Sequence, residues 1–209
     1  MLLLARPSTA TVRMAGHHGL GLLATPRGLL RDCDRGLPWA ADNDAFVSFD
    51  GRRFSRMLDW ATTWPLSPLW VACPDMVGDA RGTLDLWRTW QPEVKARGFR
   101  AALVAQDGMK IELVPWDEAD AIFLGGTGEW KFSTEARQIV ALARSRGKWV
   151  HAGRVQTRRK IRQAAWMGVD SIDGTCTAKL PDFWVPKILD WIADSERMVL
   201  EPELFEGWI

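Results

Sequence analysis

The chain has 209 residues, 47% hydrophobic and 25% charged, with a formal net charge of +1. That balance belongs to a globular domain with one sizeable core and excludes a chain dominated by disorder. It also gives no global electrostatic reason to expect a polyanion partner, so any such contact falls to a local cluster of charge.

Met1-Leu2-Leu3-Leu4 is apolar but too short for a signal-peptide core, and Arg6-Pro7 comes at once after it. No stretch approaches the roughly 20 apolar residues of a membrane span, and a cytoplasmic protein is expected. Short apolar runs at residues 19–24, 38–41, 69–73, 100–105, 121–124, 148–151 and 171–172 read as strands. Amphipathic helices are expected at 52–64, 83–97, 134–146 and 157–166, and a last helix at 183–193. Runs this short without polar alternation suit parallel strands covered on both faces. Their alternation with helices argues for an α/β fold. No linker, repeat or low-complexity segment interrupts the pattern, so residues 1–209 read as one domain.

The residues just after each run are more telling. Residues 69–73 lead into Pro74-Asp75, and residues 100–105 into Gln106-Asp107-Gly108. Residues 121–124 end in Gly125-Gly126-Thr127, 148–151 in Ala152-Gly153-Arg154, and 171–172 in Asp173-Gly174-Thr175. In a barrel such strand ends converge on one face, whereas an open doubly wound sheet would spread them along a line. The expected fold is a compact TIM-type (β/α) barrel. The chain is short for a form that usually takes about 250 residues. Seven strands are accounted for, and the eighth is either in residues 6–14 or missing.

Cys33, Cys73 and Cys176 form no CxxC pair, and so sparse and odd a count suits a reducing compartment. They lack ligand spacing with His17, His18 and His151, so no metal site is expected. His151 reads as a structural residue or a hydrogen bonder in a pocket. The 13 tryptophans, unaccompanied by tyrosine, are expected mostly in the core, with a few left to stack on a nucleobase.

Each polar strand end carries two readings. Asp173, at the end of its strand, can attack a sugar anomeric carbon or act as a base, and before Gly174 it also reads as a turn aspartate. Asp42, in Asp42-Asn43-Asp44-Ala45-Phe46, can serve as a general acid/base opposite Asp173 or can close an Asx turn or helix cap. Asp75 and Gln106 supply the acceptors and donors that a purine edge needs. Gly125 and Gly126 permit close backbone approach to a planar ligand, or simply make a turn. Asp50-Gly51 reads as a plain turn. Residues 154–162 hold the one basic cluster. Thr157 can cap a helix there, and with Arg154, Arg158 and Arg159 its N-terminus suits a phosphate, or the cluster is a solvated helix face.

Taken together, five segments resemble the deazapurine DNA-modification transglycosylases (DpdA family), phage and bacterial relatives of the tRNA-guanine transglycosylases. They are Pro74-Asp75-Met76-Val77-Gly78-Asp79, Val104-Ala105-Gln106-Asp107-Gly108-Met109, Phe123-Leu124-Gly125-Gly126-Thr127-Gly128-Glu129-Trp130-Lys131, His151-Ala152-Gly153-Arg154-Val155 and Gly168-Val169-Asp170-Ser171-Ile172-Asp173-Gly174-Thr175. They lie in the family's order, within a resemblance that runs from about Pro38 to Thr175. The resemblance implies a TIM-type barrel that exchanges guanine in a nucleic acid for a 7-deazaguanine base without ATP or a bound cofactor. It assigns Asp173 as the nucleophile at C1′ and Asp42 as the acid/base. It makes Asp75 and Gln106 readers of the purine edge, with Gly125 and Gly126 beside it. Relatives often dimerise, so a homodimer is allowed. The sequence departs from the pattern at Asp44, where glycine is expected, and lacks the four-ligand zinc subdomain of the tRNA enzymes. That loss favours DNA as the substrate. Base excision with the same pocket, a tRNA substrate, a non-catalytic nucleic-acid-binding subunit and a metal-dependent barrel hydrolase are the competing expectations.

Overall fold

The short apolar runs are the staves of a closed barrel. The computed structural model describes residues 1–31 and 36–200, and in it eight parallel strands pair in chain order until the last returns to the first. They are β1 (Leu2–Ala5), β2 (Leu20–Ala24), β3 (Trp39–Ala41), β4 (Val71–Ala72), β5 (Ala101–Ala105), β6 (Ala121–Leu124), β7 (Trp149–Ala152) and β8 (Ser171–Asp173). Leu3 closes the ring by pairing with Leu20 on one side and Ile172 on the other. This is a TIM-type (β/α) barrel, and it is complete. The eighth strand does not lie in residues 6–14, which instead hold the short helix α1 (Thr9–Arg13) capped by Ser8. It is Leu2–Ala5, a run apolar throughout because Leu4 packs inside the barrel and Leu3 outside it.

A short chain closes eight strands because two crossovers carry no α-helix. Between β2 and β3 the described residues contain none, and between β5 and β6 there is only a 3₁₀ turn at Ile111–Leu113. The remaining helices are α2 (Gly51–Thr62), α3 (Ala80–Ala96), α4 (Thr134–Ser145), α5 (Arg158–Met167), α6 (Cys176–Lys179) and α7 (Pro181–Leu200). Asp50, Asp79, Ser133 and Thr157 each accept a first-turn backbone N–H and start α2, α3, α4 and α5. Asp50-Gly51 is therefore a helix start as well as a turn. Helix α3 begins a turn earlier than residue 83, because Asp79 accepts from the N–H groups of Arg81 and Gly82.

The core forms two layers. Inside the barrel, Ala40, Ala72, Ala102 and Ala121 make room for Trp70 and Phe123, whose ring centroids lie 5.7 Å apart. Outside it, helix stripes such as Phe54, Met57, Leu58 and Ala61 cover the outward strand residues. Trp39, Trp70 and Trp87 are fully buried, and others pack against the same core, so most tryptophans serve packing; Trp166 is exposed. Cys73 is buried and Cys176 half-buried, while Cys33 lies outside the described residues. Among the described residues no helix is long and apolar enough to cross a membrane. Above Trp70, among the described residues, the barrel leaves space at the C-terminal ends of the strands.

Candidate active site

That space is a cavity of about 190 Å³ lined by Asp42, Asp75, Gln106, Gly125, Arg154 and Asp173, among others. Every strand end assigned to catalysis or to base binding reaches it except Gly126, which faces a neighbouring cavity.

Asp173 is the last residue of β8, and its carboxylate is held from β7. His151 Nε2 lies 3.0 Å from Oδ2, and the Arg154 backbone N–H donates to Oδ1 at 3.2 Å. A carboxylate only accepts, so the shared proton sits on His151 Nε2. Nδ1 then accepts from Ser171 Oγ at 2.9 Å, and Ser171 Oγ accepts from Trp149 Nε1 at 2.8 Å. The tautomer is thus set by a chain that runs down into the barrel. Burial pushes the His151 imidazole below its ordinary value, against the pull of Asp173, so the ring is neutral at pH 7. Phe123 and Trp70, at centroid distances of 4.5 and 4.8 Å, hold the ring in place.

Asp42 comes directly after β3. Its Oδ1 accepts the Asn43 N–H at 2.8 Å. Burial, followed by the negative charge of Asp173, raises its pKa to about 7, and Asp75 and Asp44 add to the rise. A carboxyl group poised near neutrality beside a second, oriented carboxylate is the arrangement that acid/base catalysis at pH 7 requires.

Asp75 and Gln106 form the cavity's polar wall. Gln106 Nε2 donates to Asp75 Oδ2 at 2.6 Å, and Gln106 Oε1 accepts the Gly78 N–H at 3.0 Å. Buried Asn43 donates to Asp75 Oδ1 at 2.8 Å and to the Cys73 carbonyl at 2.7 Å, tying the β3 loop to the β4 loop. Burial pushes Asp75 up, and the bonds from Asn43 and Gln106 pull it back. Each Asp75 oxygen keeps a further acceptor site and Gln106 a further N–H.

The glycines stand where no side chain fits. A Cβ on Gly125 would lie 2.5 Å from Val104 and 2.7 Å from Gln106 Nε2. One on Gly126 would lie 2.6 Å from Asp107 Oδ2. Asp107 itself accepts from Thr127 N at 2.7 Å and Thr127 Oγ1 at 2.6 Å, so it braces the β6 loop.

Two residues at the mouth hold left-handed backbone, Asp44 at φ 61° and Arg154 at φ 58°. Glycine would adopt the first without strain. Asp44 is only 3.6 Å from Arg27, and its buried Oδ2 has no hydrogen-bond partner among the described residues. Arg154 donates to the Gly125 carbonyl at 2.8 Å and lies 4.2 Å from the centroid of the exposed Phe46 ring. Of the three arginines assigned to phosphate, Arg154 alone reaches this cavity. Arg158 pairs with Asp194 of α7 at 3.2 Å, and Arg159 lies on the outer side of α5. Thr157 caps α5 as expected.

Sequence reasoning assigned no role to Asn43, Ser171 or Lys131. Lys131 is buried, donates to the Gly153 carbonyl at 2.5 Å, and is pushed down to about 8 by burial and then by Arg154. It pins the β7 loop to the β6 loop. A lysine shortly after the glycine-rich Gly125–Gly128 segment, between Trp130 and Phe132, was the one available signal.

The fold is similar to that of mandelate oxidase. A structure of mandelate oxidase with (S)-2-phenylpropionate matches with a TM-score of 0.64 at 14% identity, covering 96% of this chain and 74% of that one. A mutant mandelate oxidase with a C4a-OH-FMN adduct matches with a TM-score of 0.62 at 14% identity, over 95% and 74% of the two chains. No family model matches the sequence, and no curated protein matches it significantly. At this identity the likeness establishes the barrel fold and carries no chemistry with it.

Proposed function

We propose that the protein is a DNA-guanine transglycosylase, which replaces guanine in DNA with a 7-deazaguanine base through a covalent glycosyl ester on Asp173. The observation that carries this reading is the unequal pair of carboxyls in one cavity. Asp173 is oriented by His151 and the Arg154 N–H, and Asp42 has a pKa of about 7.

In the first step a carboxylate oxygen of Asp173 attacks C1′ of the deoxyribose. The C1′–N9 bond breaks, its electron pair goes to N9, and protonated Asp42 supplies the proton as guanine leaves. In the second step ionised Asp42 takes the N9 proton of the incoming deazaguanine. N9 attacks C1′ and the Asp173 ester bond breaks. One glycosidic bond is exchanged for another, so no nucleotide triphosphate is needed. A pKa near 7 lets Asp42 hold the proton in one half-reaction and release it in the other.

The polar wall supports purine recognition. The remaining acceptor sites of Asp75 suit the ring N–H and exocyclic amine of guanine, and the remaining Gln106 N–H suits its carbonyl. The cavity is smaller than the roughly 300–1,000 Å³ that hold larger ligands, which fits a single base. A target base reaches such a recess only by leaving the stack.

The test is incubation with guanine-containing single-stranded and duplex DNA, with and without a 7-deazaguanine base, and then nucleoside mass spectrometry. Incorporation of the deazapurine supports exchange. Abasic sites without incorporation replace it with base excision, and activity on tRNA alone overturns the DNA assignment. Asp173→Asn is expected to remove turnover and the covalent adduct seen by intact-protein mass spectrometry, with the fold retained; full activity in that variant overturns the nucleophile.

A further inference from the structure

The catalytic cavity adjoins further cavities that form a longer groove with a cationic far end. It shares Phe46, Val77, Gln106 and Arg154 with a second cavity of about 290 Å³ that also meets Lys131 and Lys160. Thr127, Gly128 and Lys160 continue into a third, of about 700 Å³, at the start of α5. Arg159 and Gln163 then carry it into a fourth, of about 710 Å³, on the outer face of α4 and α5. These shared walls make one track from the barrel mouth to the molecule's flank.

The charge becomes one-sided at the far end of this track, beyond the aspartates of the catalytic cavity and Asp107 of the second. Arg137 of α4 and Arg159 and Arg162 of α5 line its far end, and the ion pairs there among the described residues are made by other arginines. Arg158, also there, is already paired with Asp194. Glu129 is the acidic residue in the third cavity's wall. With a net charge of only +1 for the whole chain, such a grouping is local concentration rather than general basicity. Arg162 Nε is buried without a hydrogen-bond partner among the described residues, and the residue lines the groove. The N-terminus of α5 adds its partial positive charge midway. Between the cations lie apolar surfaces, Ala141, Met167, Met198 and the exposed Trp166. Alternating cations and an exposed aromatic ring suit an unpaired strand, whose phosphates meet the arginines while a base stacks on the indole.

We propose that this groove holds a single strand of DNA, running from the nucleotide seated in the barrel mouth past Arg154 and Lys160 to Arg137, Arg159 and Arg162, with a base stacked on Trp166. The proposal rests on the DNA reading of the catalytic cavity and extends it by naming the path of the strand.

It is tested on the full chain by fluorescence anisotropy, using labelled single-stranded oligodeoxynucleotides of about 12 nucleotides at several salt concentrations. Combined Arg137→Ala, Arg159→Ala and Arg162→Ala substitutions are expected to weaken binding about 10- to 100-fold. They should also reduce the slope of log affinity against log salt by about 2, since each single-strand phosphate contact contributes about 0.7. Trp166→Ala is expected to weaken binding about tenfold with the slope unchanged. Arg52→Ala with Arg56→Ala, on α2, should leave both quantities alone, and circular dichroism checks that every variant is folded. Replacing the three groove arginines with lysine, which keeps the charge, should preserve the slope. Unchanged affinity and slope in the alanine triple variant overturn the groove while leaving base exchange standing. Binding with these signatures but no base exchange keeps the groove and removes the transglycosylase reading. Preference for RNA over DNA overturns the proposed occupant, and failure to bind any nucleic acid overturns both proposals.

Discussion

His151 Nε2 and Asp173 Oδ2 lie 3.0 Å apart, with the imidazole 1% exposed and its far nitrogen bonded to Ser171. The histidine reaches the reaction only through the aspartate, so it is a positioning residue. His151→Phe keeps a ring between Trp70 and Phe123 but removes the donor. It is expected to lower kcat about 10- to 100-fold, as loss of an outer orienting partner does elsewhere, with KM within about twofold. Steady-state kinetics with a guanine-containing oligonucleotide decides this, and an unchanged kcat would reduce His151 to a packing residue.

Asp42 predicts a pH dependence of both rate and stability. Exchange requires it protonated as guanine leaves and ionised as the new base attacks, so the rate should peak near pH 7. Its folded pKa lies above the ordinary carboxylate value, so between about pH 4 and 7 the folded chain binds more protons than the unfolded one. Stability therefore falls as pH rises through that window, by up to about 4 kcal/mol in total. Asp42→Asn should abolish exchange and raise stability at pH 8 more than at pH 4. Urea denaturation at the two pH values measures it, and an equal effect at both would contradict a buried, partly protonated Asp42.

Gly125→Ala places a methyl 2.5 Å from Val104 and 2.7 Å from Gln106 Nε2. Both neighbours belong to the buried wall, so the clash is expected to cost about 1–3 kcal/mol and to turn Gln106 away from Asp75. KM for the incoming base should rise about tenfold, the size of one lost hydrogen bond to a polar partner. Preserved KM together with preserved stability would show that the wall yields without consequence.

Asp44→Gly relieves a left-handed backbone and removes a buried carboxylate oxygen that has no hydrogen-bond partner among the described residues. The fold should gain about 1 kcal/mol, because the ion pair lost with Arg27 is long and weak. Asp44 is the smallest of the influences raising Asp42, so the pH–rate profile should move only slightly, toward lower pH. Thermal denaturation and a pH profile check the two parts separately.

Much of this architecture is legible in the sequence. The apolar runs mark seven of the eight strands, and the polar residues at their ends include Asp42, Asp75, Gln106, Gly125 and Asp173, which share one cavity. The strand Leu2–Ala5 is hidden there because four apolar residues have no period of their own. Pairing with Leu20 and Ile172 is what makes them a strand. The bonds of Asn43 to Asp75 and of His151 to Asp173 join residues 32 and 22 positions apart, which no local pattern encodes. Arg158 shows the converse, since a basic residue in a basic cluster is spent on Asp194 of a distant helix.

The sequence by itself determined the alternation of buried strands with amphipathic helices, the cap at Thr157, and the row of polar strand ends. All of these arise from side-chain period and backbone hydrogen bonding within a few residues. Only the tertiary structure decided that the barrel closes, and that two similar aspartates differ. Asp42 is raised to about 7 because burial strips its water and the charge of Asp173 faces it. Asp173 is held in place because His151 and the Arg154 N–H point at its oxygens. Desolvation and charge coupling depend on what closure brings together, and distance along the chain does not report it.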